Sequence, residues 1–294
     1  MAFSPRCSAT GNFLMKTIEV HSWHQFLEET SKLDQWAFRG QAKSGLPLYS
    51  SLSRRLMMLG STPDDWSIRE KRAIRVFKRK AHVHISDHSI LYNTLRCLAM
   101  MQHHGAATRL LDFTKSPFVA AFFALQAATT DSAIYALNTP ALWYLAPRDM
   151  PQLNRATINP RANDNLEKYF LSNEYPIIWF GEPDEMDSRL VAQSGLFVIP
   201  GQIHLSIEHL LQGYEAANTN QKTQKHSSES ANLLVQLILK HDMRQEAMRE
   251  LYRMNITHAS LWPDLDGLAR SMNQELEIIW QPLLQDAIEQ SRKS

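Results

Sequence analysis

The chain has two cysteines in 294 residues, ten glycines and a formal net charge of +1, and no apolar run in it is long enough to span a bilayer. Each scarcity removes a class of function. Cys7 and Cys97 cannot build a disulfide framework and share no CxxC spacing, so a reducing compartment and a cytoplasmic location are expected. No stretch approaches the roughly 18 apolar residues of a spanning helix, and the N-terminus lacks the continuous apolar segment of a signal peptide, so no membrane partner is expected. GxGxxG, GxxxxGK[ST], GxSxG and HExxH are all missing, which sets aside dinucleotide dehydrogenases, kinases, P-loop ATPases, common serine hydrolases and zincin proteases. Near-neutrality predicts no whole-protein attraction to nucleic acid or acidic lipid.

What is present is an ordinary globular composition, 44% hydrophobic and 21% charged. It can bury a core as one large or two small domains. Residues 1–14 read as an irregular extension, and organised sequence starts at Met15, the expected start of the fold or of translation. The strand-like "KTIEV" and "WAFRG" flank a helix over "SWHQFLEETSKL", with Ser22 as its expected N-cap. A helix over residues 64–83 is expected to bury Trp66, Ile68, Ala73, Val76 and Phe77. "ILYNTLRCLAMMQHHG" reads as one helix stopped by Gly105. Then come the strand "TRLLDFT", the helix "SPFVAAFFALQAA" with Pro117 in its first turn, and the strands "SAIYAL", "PIIWF", "RLVAQSGLFVIP" and "QIHLSI". "EHLLQGY" reads as a short helix. Residues 215–230 are polar and unpatterned, and a mobile loop is expected there. The rest of the chain continues the α and β alternation without a visible repeat.

Two stretches carry charge in unusual density. Residues 54–80 hold nine basic side chains against three acidic ones. They form either a solvated helix face or a polyanion contact, which makes RNA or DNA worth testing as a partner. The other stretch, "QHHGAATRLLDFT" at 102–114, runs directly into the apolar helix. On a strand, Thr108, Leu110, Asp112 and Thr114 would face one side and Arg109, Leu111 and Phe113 the other. The polar set then lines a cleft, backed by a helix with Phe118, Val119, Phe122 and Phe123 in the core. The alternative is a buried Arg–Asp pair that holds the core in register. His82, His84, Asp87 and His88 lie close together, but their spacing matches no metal-ligand signature, so no metal is expected. Trp262 and Trp280 read as core, Asp264 and Asp266 as turn or cap residues.

Five segments resemble successive blocks of the FRG domain, named for its Phe-Arg-Gly element: "WAFRGQ" at 36–41, "LYSSLSRRL" at 48–56, "QHHGAATRLLDFTKSPFVAAFFA" at 102–124, "RLVAQSGLFVIP" at 189–200 and "LWPDLDGLA" at 261–269. Here the naming element is Phe38-Arg39-Gly40. The resemblance covers about residues 15–275, so a single FRG-like domain over residues 15–294 is expected. The chain departs from the family pattern at His104, at Ala107 where proline is common, and at Phe113 where tryptophan is common. "AFRGQ", "LLDFTKSPFVAAFFA" and "RLVAQSGLF" also resemble, in order, elements of the arginine-type ADP-ribosyltransferases.

The second resemblance implies an α/β (α+β) domain with a mixed, split sheet and peripheral helices, and NAD as substrate. Together with the FRG blocks and the strand spacing, it leads to Arg39, Gly40, Gln41, Arg54, Thr108, Arg109 and Thr114 as expected cofactor-binding residues, and Arg39, His103, Asp112 and Gln193 as expected catalytic ones. Breaking the nicotinamide–ribose bond builds positive charge on the ribose beside a diphosphate, which calls for cations, a carboxylate and hydroxyl or amide acceptors. Arg39 suits a bidentate phosphate contact, and Gly40 a close backbone approach. Where those enzymes present a catalytic Glu, this chain has Gln193, followed by Ser194 and Gly195. The change leaves open another catalytic residue, altered acceptor chemistry, or a non-catalytic nucleotide- or partner-binding module. A protein or nucleic-acid acceptor, a toxin or phage-defence role and an antitoxin-like partner are implied by analogy alone.

Overall fold

The computed structural model describes residues 15–220 and 232–280, with Leu284, Ile288, Ser291 and Arg292 beyond them. The expected extension at 1–14 and residues 221–230 of the expected loop lie outside the described residues.

Strands β1 (Lys16–Val20), β2 (Ala37–Gln41), β3 (Leu111–Thr114), β4 (Ser132–Leu137), β5 (Ile178–Gly181), β6 (Gly195–Pro200) and β7 (Leu234–Leu239) form one mixed seven-stranded sheet in the order β1-β7-β4-β2-β3-β6-β5. Only β1 and β7 run parallel; every other pair is antiparallel. The ladder is uneven. β4 meets β2 over five residue pairs and β7 over six, whereas β2 meets β3 at the single pair Phe38↔Thr114.

The helices are α1 (Trp23–Ser31), α2 (Ser51–Met58), α3 (Pro63–Ala81), α4 (Thr94–His103), α5 (Pro117–Leu125), α6 (Thr139–Leu142), α7 (Ser188–Ala192), α8 (Ile207–Asn220), α9 (Arg244–Arg253), α10 (His258–Leu261) and α11 (Leu265–Glu275). Side chains cap many of them. Ser22, Ser50, Asn93, Ser116, Asp187 and Asp264 each accept a backbone N–H of the first turn. Asn93 splits the long helix expected over residues 90–105 into a short 3₁₀ turn (His88–Leu91) and α4. Gly105, at φ +82°, takes the left-handed conformation that ends α4.

Three packed layers hold the sheet. On one face α1, α5 and α9 cover the β1-β7-β4-β2 half with Phe26, Phe122, Ile134, Leu237 and Met248, all buried. On that same face, α3, α4 and a π-helical turn (Leu166–Leu171) cover the β3-β6-β5 half with Leu98, Leu110, Phe170, Phe197 and Ile199. On the opposite face a single cluster with α8 runs across both halves, from Tyr135 and Leu137 through Leu111 and Phe113 to Val198 and Phe180. A cleft lies where the first two layers part.

Gly40 sets the contact between α5 and β2. A Cβ there would sit 2.1 Å from the Ala120 carbonyl oxygen and 2.6 Å from the Ala124 nitrogen. The close backbone approach expected at Gly40 is therefore to a helix of the same chain.

Several elements differ from the sequence reading. α3 buries Trp66, Glu70, Ile74 and Ala81, whereas Ile68 is 67% exposed and Val76 is also at the surface. "RLVAQSGLFVIP" is helix α7 followed by β6, because Ser194 turns the chain at φ +47°. "QIHLSI" forms no strand but a turn leading into α8, which continues through Asn220 and so takes in residues 215–220 of the expected loop. Phe118 and Phe123 are partly buried, Trp280 is half exposed, and Trp262 is at the cleft wall.

Candidate functional site

The cleft of about 330 Å³ opens beside the one-pair seam between β2 and β3. Continuing the register past Phe38↔Thr114 would set Gly40 against Asp112, but the strands have separated. The Asp112 carbonyl is taken by the Arg39 guanidinium instead, Nη1 to O at 2.6 Å. That is the one hydrogen bond of the Arg39 guanidinium among the described residues, and its Nε is buried without a partner. Five N–H donors with one engaged leave a cation free to hold something else. Desolvation lowers the Arg39 pKa, the Asp112 charge opposes that, and Arg54 adds repulsion. A guanidinium stays charged under such shifts.

Asp112 is open to solvent at the cleft mouth but hemmed in by protein, and loss of hydration raises its pKa. Arg39 and a hydrogen bond from Gln102 (Nε2 to Oδ1, 2.5 Å) work in the other direction, and the Asp187 charge adds to the rise. Behind Gln102 stands Thr108, buried, whose hydroxyl donates to the Gln102 amide oxygen. Thr108 thus fixes which end of the Gln102 amide meets the carboxylate.

On the same side of the cleft His103 Nδ1 lies 2.8 Å from Asp187 Oδ2, while Asp187 Oδ1 caps α7 through the Leu190 N–H at 2.8 Å. Arg189 contacts Asp264 at 2.9 Å and the His103 carbonyl at 3.3 Å, and its Nε is also buried without a partner. Asp264 caps α11, and the Gly267 N–H together with Arg189 holds its carboxyl below the usual range. Phe38, Phe123, Phe197 and Trp262 supply apolar wall.

Of the residues expected at the site, Arg39, Gly40, His103, Asp112, Thr114 and Gln193 line the cleft. Gln193 caps the C-terminus of α7 instead of standing on a strand; its amide donates to the Leu261 carbonyl at 3.1 Å, and its own carbonyl accepts from the Thr114 hydroxyl at 2.7 Å. Four others do not line it. Gln41 is buried and accepts from Arg54 at 2.6 Å, and Arg54 also reaches the Pro47 carbonyl. Thr108 is a support for Gln102. Arg109 is fully buried on another side: its fork grips both Glu70 oxygens, and Nη1 donates to the carbonyls of Phe170 (2.6 Å) and Pro200 (3.0 Å). The buried Arg–acid pair is therefore Arg109–Glu70, and Asp112 takes no part in it.

Gln102, Asp187, Arg189 and Trp262 were not singled out for the site from sequence. Gln102 lay in the quoted central block, and Asp187 carried an N-cap signal at the start of "DSRLVA". Among the described residues no group of three His, Cys, Asp or Glu side chains is placed to hold a metal. His88 Nε2 instead meets the His82 carbonyl at 3.0 Å.

Residues 34–133 match the family model of the FRG domain. No curated protein and no solved structure matches the chain. The FRG match contains β2, α4, β3 and α5, hence Arg39, Gln102, His103 and Asp112. The blocks at 189–200 and 261–269, which bring Arg189, Gln193 and Trp262, lie outside it. The cleft is thus built mostly from the matched segment and completed by the chain beyond it. No described helix is long and apolar enough to cross a membrane.

Proposed function

We propose that the cleft binds NAD and that the protein transfers ADP-ribose from it to a protein or nucleic-acid acceptor. The splay between β2 and β3 carries this reading, because it sets an arginine with unengaged donors beside a carboxylate of raised pKa inside an aromatic-walled cleft. Arg39 and Arg189 supply the two cations a diphosphate requires. Phe38, Phe123 and Trp262 offer faces for a planar ring.

The transfer assigns one task to each remaining group. The bond from ribose C1′ to the nicotinamide nitrogen breaks, and its electron pair leaves with nicotinamide. The Asp112 carboxylate offsets the positive charge that develops on C1′, work that the neutral Gln193 amide, engaged with Leu261, does not do. The acceptor oxygen or nitrogen bonds to C1′, and its proton passes to His103 Nε2, which is unprotonated in the tautomer whose Nδ1–H donates to Asp187. A toxin or defence-effector role, with an antitoxin-like partner that silences it, extends the same proposal.

Titration calorimetry with NAD, and nicotinamide release in cell extract divided into protein and nucleic-acid fractions, test it. Wild type is expected to bind and release, Arg39→Ala to do neither, and Arg39→Lys to recover little, since one ammonium cannot reproduce the planar fork. Binding without release would favour the non-catalytic module, for which Gln193 is the specific observation. No binding at millimolar NAD would overturn the cleft assignment.

A further inference from the structure

A cavity of about 670 Å³ forms a groove along α3, apart from the cleft between β2 and β3. One wall is α3 itself, with Lys71, Arg75, Lys78 and Arg79 and then His82. These positions are spaced 4, 3, 1 and 3 residues apart, which strings them along one helix face over about 16 Å. Their charges are unmatched: among the described residues none of Lys71, Arg72, Arg75, Arg79 or Lys80 forms an ion pair, and Lys78 meets only the Thr94 hydroxyl, at 3.0 Å. The single acid on the lining, Glu167, stands on the opposite wall. The floor is apolar, from Ile74, Leu91 and Leu171, and Tyr92 at the rim is 86% exposed.

A row of unpaired cations over an apolar floor with a free aromatic ring fits one kind of ligand: a polyanionic backbone bearing flat apolar bases. A lipid surface would need a protruding apolar face, and this site is concave. We propose that the groove binds single-stranded nucleic acid, with Lys71, Arg75 and Arg79 along the phosphates and Tyr92 stacked on a base. The place of the groove adds a second step. α4 begins at Thr94 in the groove and ends at Gln102 and His103 in the cleft, about 14 Å away, so a strand seated in the first can reach the second. This step rests on the transferase reading and names its acceptor class. The binding itself does not depend on that reading.

Fluorescence anisotropy with labelled oligouridylate, oligodeoxythymidylate, a duplex of the same length and inorganic polyphosphate tests the proposal, using the full chain without NAD. The single strands are expected to bind with a salt dependence of a few phosphate contacts. Lys71→Gln/Arg75→Gln/Arg79→Gln is expected to weaken them roughly tenfold or more and to flatten the log–log salt slope by about 2. Tyr92→Ala is expected to cost about fivefold or more and Tyr92→Phe little, with thermal unfolding unchanged in every variant. If no single strand binds, if the triple variant binds as wild type does, or if duplex or polyphosphate binds equally well with Tyr92→Ala silent, the inference is overturned. Arg39→Ala separates the two readings: it should lose nicotinamide release and keep oligonucleotide binding. With labelled NAD, transfer of label to the bound strand supports the acceptor step; release of nicotinamide with the strand bound but unlabelled overturns it.

Discussion

Two arginines expected to serve one site do opposite things, and their surroundings decide which. Arg109 has lost all contact with water, and every nitrogen of its fork is engaged, on Glu70, the Phe170 carbonyl and the Pro200 carbonyl. Removing one partner of such a pair strands a charge in the interior, so Glu70→Gln or Arg109→Met is expected to lower unfolding stability by about 3–5 kcal/mol, read by denaturant midpoint. The apolar double replacement Glu70→Leu/Arg109→Met should recover most of it. A single variant that melts like wild type would show that the pair is not buried as described. Arg39 keeps donors unengaged, and its loss should be felt in ligand binding before stability. Asp112 gives the pH test. Its carboxyl is raised above the ordinary aspartate value near 4 by lost hydration, against the pull of Arg39 and Gln102 and with the push of Asp187, while His103 stands on the same wall. A folded-state value above the unfolded one means that the native chain binds this proton more readily. Its contribution to stability is present below the ordinary value and is lost as pH rises through the raised one. Asp112→Asn, which keeps the Gln102 contact, is therefore expected to melt no lower than wild type at pH 7, with the gap closing toward pH 4, while losing nicotinamide release at every pH. Thermal melts of both proteins across that range would check it, and a variant that melts well below wild type at pH 7 would assign Asp112 to the framework.

Between elements, the contact of α5 with β2 tolerates little change, because the backbone of one lies against the backbone of the other at Gly40. Gly40→Ala puts a methyl 2.1 Å from the Ala120 oxygen, an atom that no rotamer change can move aside. A loss of about 3 kcal/mol or more in chemical denaturation is expected, above the usual range for overpacking by one carbon. A near-neutral result would mean that α5 slides freely over the strand. This contact was only half legible in the sequence: the glycine announced a close approach, but nothing local said that a helix eighty residues on would make it. The strands β1, β2 and β4, the cap at Ser22 and the first-turn proline of α5 could be read because each is a local pattern with a local cause. α3 was misread because its buried stripe, Trp66, Glu70, Ile74, Phe77 and Ala81, contains a glutamate whose partner Arg109 is distant in sequence, and the apolar Ile68 and Val76 drew the stripe to the wrong face. α7 was hidden for a related reason: five residues carry no helical period, and the Ser194 turn that separates them from β6 takes a conformation serine rarely adopts. In the site, Arg39 stood out through the Phe-Arg-Gly element, and His103 and Asp112 because polar residues crowd beside an apolar helix. Asp187 and Arg189 did not, since a capping Asp and a surface Arg look alike until a fold sets them beside residue 103.

At the scale of the whole molecule the sheet is continuous on one face and divided on the other. The cluster around α8 runs under both halves, so the protein has one core there. On the cleft face two separate helical layers meet over a seam of one residue pair, and the side chain of Arg39 replaces the next backbone contact. A ligand held there touches both halves: β2 and α5 on one side, β3, α4 and α7 on the other. Linkage requires that such a ligand stabilise the fold, by about 2.7 kcal/mol at a hundred times its dissociation constant. It should also slow the local openings of the seam most, since those are the motions it ties down. Hydrogen exchange followed by mass spectrometry is expected to show slower exchange with NAD in peptides covering residues 37–41, 102–114 and 187–195, on both sides of the division, and little change in β1 or β7 away from it. Arg39→Ala should abolish the effect. Protection on one side alone would mean that the bound molecule does not bridge the seam, and protection confined to α3 and residues 82–92 would move the nucleotide out of the cleft and into the basic groove.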